Sequence, residues 1–152
     1  MWLPILVAML VGMVELARVS YTYYTIHKIL YSLARSLGTQ QGVNFCDNAD
    51  VTLTAAKNLA LRGSPDEAAE PILANLDPDS IQIRIERRNA ETGELEQCEC
   101  SGTGCDLASG GISPGWLVIS LTEGYPVRLA IPRISQEPIP LRPVVRVPYG
   151  GI

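Results

Sequence analysis

Hydrophobic positions first run without interruption along this chain and then settle into a periodic stripe. Residues 2–14, WLPILVAMLVGMV, give thirteen consecutive positions without a charge, Leu10 among them. Crossing a bilayer takes about 20 apolar residues. The run is therefore short by itself and reaches membrane length only by continuing through Leu16, Ala17 and Val19, which requires Glu15 and Arg18 to be accommodated. An arginine can snorkel to the interface along its aliphatic stem, whereas a carboxylate at membrane depth is costly without a partner or a proton. Beyond Glu15 a stripe takes over: Leu16, Val19, Tyr23, Ile26, Leu30, Leu33 and Leu37 follow at intervals of three and four. This is the spacing of one side of a helix or of a coiled-coil seam. Gly38 is the predicted C-cap. Apolar run and stripe read as one rod of about 37 residues, roughly 55 Å at 1.5 Å per residue. The stripe is suited either to packing on the protein's own head or to packing against neighbouring chains, and the two are compatible if its upper part meets the head and its lower part a partner. Tyr21, Tyr23, Tyr24 and Tyr31 add hydroxyl-bearing rings of the kind found at interfaces and membrane edges.

After the turn TQQG, Val43, Phe45 and Cys46 lead to a second predicted helix. Asp50 is its cap, Leu53, Ala56, Leu59 and Ala60 its buried face, and Gly63 its stop. Pro71 and Pro78 limit any longer element, and Ile72, Leu73 and Leu76 are expected to tuck onto the head. The period then changes to two. Ile81, Ile83 and Ile85 alternate with Gln82, Arg84 and Glu86 as a half-buried strand, and NAETGE turns the chain into a partner strand through Leu95, Gln97 and Glu99. Trp116 to Leu121 and Val127 to Ile131, flanking the turn TEGYP, are two further strands rich in β-branched and aromatic residues. Prolines 132, 138, 140 and 143 punctuate extended edge segments before a last strand near Val144 to Val147. The sum is an α+β chain: a long N-terminal membrane-anchored helix over residues 1–37, then a small head over residues 38–152 with a four- or five-stranded antiparallel sheet.

Charge sharpens this division. Net charge is −4; residues 1–62 carry five basic and three acidic side chains, while residues 63–152 carry seven and thirteen and have no lysine. An acidic head without a basic surface argues against nucleic-acid binding. The apolar end lacks the basic n-region and small-residue cleavage site of a secretory signal peptide. Orientation signals conflict. Lys28 and Arg35 beyond the apolar run place the C-terminal side in the cytoplasm by the positive-inside rule, whereas the cysteines place it in an oxidising compartment. The cysteines carry the greater weight, and residues upstream of Met1 would reconcile the two.

Chemistry is concentrated in four cysteines, Cys46, Cys98, Cys100 and Cys105. Structural zinc sites use paired C-x2-4-C spacings, and here one residue separates the near pair while Cys46 lies far upstream, so disulfides are the expectation. The expected pairing joins Cys46 to Cys98 or Cys100 and the other of the two to Cys105. One bond then ties the helical half to the sheet, and the other staples the loop CECSGTGC. GTG at 102–104 and GG at 110–111 lack the strand and helix context of a phosphate loop. Asp47, Asn48 and Asp50 lack the remaining ligands of a calcium loop. His27, the lone histidine, lies on the rod away from any nucleophile. No catalytic, metal or cofactor site is expected, and the chain does not read as an enzyme.

The stretch PILVAMLVGMVELARVSYTYYTIHKILYSLARSLGTQ, residues 4–40, resembles the TadE-like family of minor pilins and pseudopilins of tight-adherence systems, through Pro4, Gly12, Glu15, Arg18, Ala34 and Arg35. GWLVISLTEGYPVRLAIP is similar to the strands that close such heads, with Tyr125 and Pro126 at the turn. The resemblance implies a single-pass protein of the inner (cytoplasmic) membrane, its head periplasmic or extracellular. It further implies helix packing with other pilin or pseudopilin subunits, contact with membrane lipid and inner-membrane assembly machinery, and a role in adhesion. In the family a prepilin-peptidase signature lies upstream of the apolar segment. Glu15 and Arg18 would then pair with each other or with neighbouring subunits.

Overall fold

The structure, a computed structural model, describes residues 2–66, 68–129 and 137–150. Helix α1 spans Leu3–Thr39 and begins with Pro4 in its first turn, where a missing N–H costs nothing. Helix α2 spans Val51–Arg62, and its ends are those the sequence predicts. The Asp50 carboxylate accepts from the Thr52 and Leu53 N–H groups, and Gly63 stops the helix with φ of 70°. Burial acts to raise the Asp50 pKa, but hydrogen bonds from Leu53, Asn44 and Thr52 outweigh it and hold the carboxyl below its ordinary value.

Among the described residues six strands follow: β1 Ile81–Arg88, β2 Leu95–Gln97, β3 Trp116–Leu121, β4 Tyr125–Val127, β5 Ile139–Leu141 and β6 Val144–Pro148. Four of them form an antiparallel sheet in the order β2-β1-β3-β6, with Ile83 opposite Ile119 and Ile119 opposite Val145. The architecture is the α+β arrangement expected: one long apolar N-terminal helix and a small antiparallel head. Along β1 the side chains alternate as predicted, with Ile81 and Ile85 buried.

The core lies where α1 crosses this sheet. Ile26, Leu30, Leu33 and Leu37 are wholly buried, together with Leu53 and Leu61 of α2, Leu117 and Ile119 of β3, and Val145 of β6. Complete burial of a leucine contributes about 1.5–3 kcal/mol relative to exposure, so these four α1 positions fasten the rod to the head.

The structure differs from the sequence reading in four places. Gly38 is not a cap: α1 continues to Thr39 and is capped by Gln40. Gly38 is buried because β6 passes against it. A Cβ there would stand 3.2 Å from the Pro148 carbonyl oxygen, and Gly150 N–H donates to the Gly38 carbonyl at 2.8 Å. On α2, Leu59 is exposed and Leu61 is buried. At 3.6 residues per turn Leu59 falls about 240° round from Leu53 and Leu61 only about 80°. Ile72 is exposed, although its N–H donates to Leu61 O, while Leu76 is buried and Leu73 partly so. Finally, β4 does not extend the main sheet. Both edges of β3 are taken, by β1 and β6, so after Gly124 turns the chain β4 pairs instead with β5 as a separate two-stranded ribbon. The expected strand Val127 to Ile131 meets β4 only at Val127: β4 starts earlier, at Tyr125 within the expected turn, Arg128 and Leu129 are not in a strand, and residues 130 and 131 lie outside the described residues.

Candidate functional site

The stripe named in the sequence divides cleanly along α1. Its upper members, Ile26, Leu30, Leu33 and Leu37, form the seam with the head. Its lower members do not meet the head: Leu16 is 69% exposed and Tyr23 45%, Val19 is half-buried, and Leu10 within the apolar run is exposed. Arg18 is exposed and Glu15 half-buried. Of residues 2–14, all but Val11 are exposed. This helix is long and apolar enough to cross a membrane, and no part of the qualifying segment is buried in the protein. Hydroxyls near the rim turn inward: Thr22 Oγ1 donates to Arg18 O and Thr25 Oγ1 to Tyr21 O. Side-chain hydroxyls satisfied by the preceding turn make a helix tolerable in an apolar setting. His27 stacks on Tyr23 with ring centroids 6.5 Å apart, a packing role.

A groove of about 1100 Å³ runs along this bare face. Val7, Val11, Glu15 and Val19 line it on α1, and Leu129 and Ile139 of the ribbon region line the opposite side. Sequence reasoning missed those two residues. Leu129 fell inside the expected strand Val127 to Ile131, and Ile139 lay among the prolines read simply as edge punctuation.

At the other end of the rod the head is locked covalently. Cys46 pairs with Cys100 and Cys98 with Cys105, the Cα atoms 5.6 and 5.7 Å apart, which resolves the alternatives left by the sequence. The first bond ties the segment between the helices to the end of the β1–β2 hairpin, and the second closes the loop. Cys98 still belongs to the ladder, donating its N–H to Ile85 O, and both Cys98 and Cys105 are buried. Beyond the strand the loop coils tightly, with Cys105 N–H on Glu99 O and Ile112 N–H on Gly104 O. A Cβ on Gly104 would collide with the Glu99 carbonyl, so these glycines serve close packing of the loop on itself. Asp47 and Asp50 spend their carboxylates on backbone N–H groups of the turn and the α2 cap. Among the described residues, no three His, Cys, Asp or Glu side chains are grouped to hold a metal.

A clasp that the sequence did not announce joins the two ends of the head. Tyr149 donates its hydroxyl to Gln40 O at 2.9 Å and meets Phe45 edge-on, and burial raises the pKa of its phenol. Between the hairpin and the disulfide loop lies a polar cleft of about 810 Å³, with Arg87, Arg88, Glu96, Glu99, Ser101 and Thr103 among its walls. No family model, curated protein or solved structure matches this chain.

Proposed function

We propose that this chain is a membrane-anchored, pilin-like structural subunit, held in the inner membrane by the lower half of α1 and assembled into an adhesive pilus or secretion pseudopilus through that same surface. The observation that carries the reading is the division of one unbroken helix: four stripe residues are wholly buried in the head, while the apolar residues before them stand bare. A helix that is apolar all round is stable only inside a membrane or among other apolar helices. The two disulfides assign the head to an oxidising compartment, periplasmic or extracellular in this reading. The resemblance of residues 4–40 to TadE-like proteins supports the same role, with other pilin or pseudopilin subunits and inner-membrane assembly machinery as partners. On this reading the protein is not an enzyme.

Charged substitution separates anchoring and assembly from head folding. Leu10→Glu, Leu16→Glu or Val19→Glu abolishes incorporation into surface appendages while the head keeps its thermal transition. Appendages that form normally with these variants refute the assembly role. The upstream codons together with terminal sequencing of the mature chain supply an independent check, since the family's processing requires a basic leader ending in glycine that is removed ahead of the apolar run.

A second reading, a single-pass periplasmic binding or adaptor domain, is favoured by the polar cleft beside the disulfide loop. It predicts the opposite dependence: substitutions at Arg87 or Glu99 remove function, and those at Leu16 leave it intact.

A further inference from the structure

The β4–β5 ribbon stands beside the bare half of α1 rather than in the main sheet, and its composition is unusual for a surface ribbon. It is rooted in the head, with Val127 buried and the Tyr125 hydroxyl donating to Ala74 O at 2.9 Å. From that root it carries Leu129, half-buried, and Ile139, 46% exposed, to the groove lined by Val11, Glu15, Leu16 and Val19. We infer that the β4–β5 ribbon is a second membrane contact, seated at the bilayer interface beside α1 with lipid acyl chains filling the groove against Leu129 and Ile139. This rests on the membrane reading of α1.

Three observations select lipid as the occupant. First, the apolar surface of residues 2–14 goes all round the helix, with only Val11 less than exposed. One docked copy would cover one side and leave the rest in water, whereas a bilayer covers the whole perimeter, and the ribbon's apolar residues are continuous with that perimeter. Second, the ribbon backbone is stripped of the donors that make sheet edges intolerant of lipid. Pro126 lies opposite Pro140, and neither has an N–H, so this is a pair without mutual hydrogen bonds, the position at which N–H groups of an antiparallel pair point outward. Here there are none to desolvate. The same prolines prevent a further strand from adding at these positions. Third, Arg128, just past the end of β4, is exposed next to Leu129. Its guanidinium can hold a headgroup phosphate while its stem stays with the apolar residues. The depth has a limit, because an open ribbon retains unpaired carbonyls and cannot enter the hydrocarbon core. It therefore rests at the level of Glu15 to Val19.

The test uses the full chain in vesicles of phosphatidylcholine and phosphatidylglycerol carrying bromine on the upper acyl carbons, where a nearby tryptophan is quenched. Tryptophan is placed at Ile139, at Leu10 as the α1 reference, and at Val51, 82% exposed on the head, and each variant is read as its difference from the parent. Ile139→Trp is expected to be quenched at least half as strongly as Leu10→Trp, with Val51→Trp unaffected. Adding Arg128→Glu should roughly halve the quenching at position 139, and only in the anionic vesicles. Quenching of Leu10→Trp without Ile139→Trp overturns the ribbon contact and leaves the anchor standing; quenching of neither overturns both. Quenching at 139 that falls as lipid is diluted with more protein shows that a second copy fills the groove, which also overturns the proposal. Should Ile139→Trp unfold, judged by loss of the head's thermal transition, Leu129→Trp takes its place with the same outcomes.

Discussion

Replacing Cys46 and Cys100 with alanine removes the crosslink between two points 54 residues apart in sequence. In the chain-entropy account the bond lowers the entropy of the unfolded chain by 2.1 + 1.5R ln n, which for this loop is about 14 cal/mol/K, or about 4 kcal/mol at 25 °C. Cys100 is exposed and Cys46 only partly buried, so the variant loses little core packing and the crosslink term dominates. That loss is a large part of the roughly 5–15 kcal/mol by which domains of this size are stable. The assay is urea unfolding of the full chain in detergent micelles, followed by emission from Trp116 at the start of β3. The midpoint should fall, and the slope should rise as well, because an unfolded chain released from its closed loop exposes more surface to denaturant. A loss below about 1 kcal/mol with an unchanged slope would refute the account, since entropy of a loop this long cannot be that small.

Truncation separates the two halves of α1: Leu30→Ala, at a wholly buried position, should cost the head about 2–5 kcal/mol. Leu10→Ala should leave the same unfolding curve within about 0.5 kcal/mol. Gly38→Val should lose about 1–3 kcal/mol by overpacking, as its Cβ already meets Pro148 O and Val147; denaturation midpoints beside those of Gly38→Ala measure how far β6 can yield. Asp50→Ala should cost about 1 kcal/mol at neutral pH through the lost cap. The folded carboxyl lies below its ordinary 3.8, so its stabilisation is present above about pH 4 and is lost as pH falls through the folded value. Acid titrations of stability should accordingly be shallower below pH 4 in the variant than in the parent.

Local signals in the sequence located most elements, because their causes are local. Asp50 and Gly63 bound α2 by side-chain capping and a left-handed residue, and Ile81, Ile83 and Ile85 reveal β1 by alternation alone. What escaped detection depends on contacts between distant segments. Gly38 reads as a helix stop until β6 is seen to press its backbone on that spot. Leu59 is the exception, since helical periodicity from Leu53 already puts Leu61 rather than Leu59 on the buried side. The turn TEGYP is legible as the end of β3, but that β4 pairs with β5 instead of forming a hairpin with β3 depends on β6 occupying that edge. The same holds at the candidate surface. The Leu16 to Leu37 stripe was legible as one face, while its division near Ile26 follows from the reach of the head, and the groove wall at Leu129 and Ile139 follows from the displaced ribbon.

The clasp of Tyr149 and Gly150 on Gln40 and Gly38 sets an order of events during synthesis. The seam on α1 emerges first and its covering strand β6 last, so Ile26, Leu30, Leu33 and Leu37 remain uncovered by β6 while more than a hundred intervening residues are synthesised. Long-range closure of this kind is slow and leaves apolar surface open to aggregation. On the membrane reading proposed above, a holding factor at the exit side, or a lipid surface on which the unfinished helix can lie, would protect that seam until the final strand arrives.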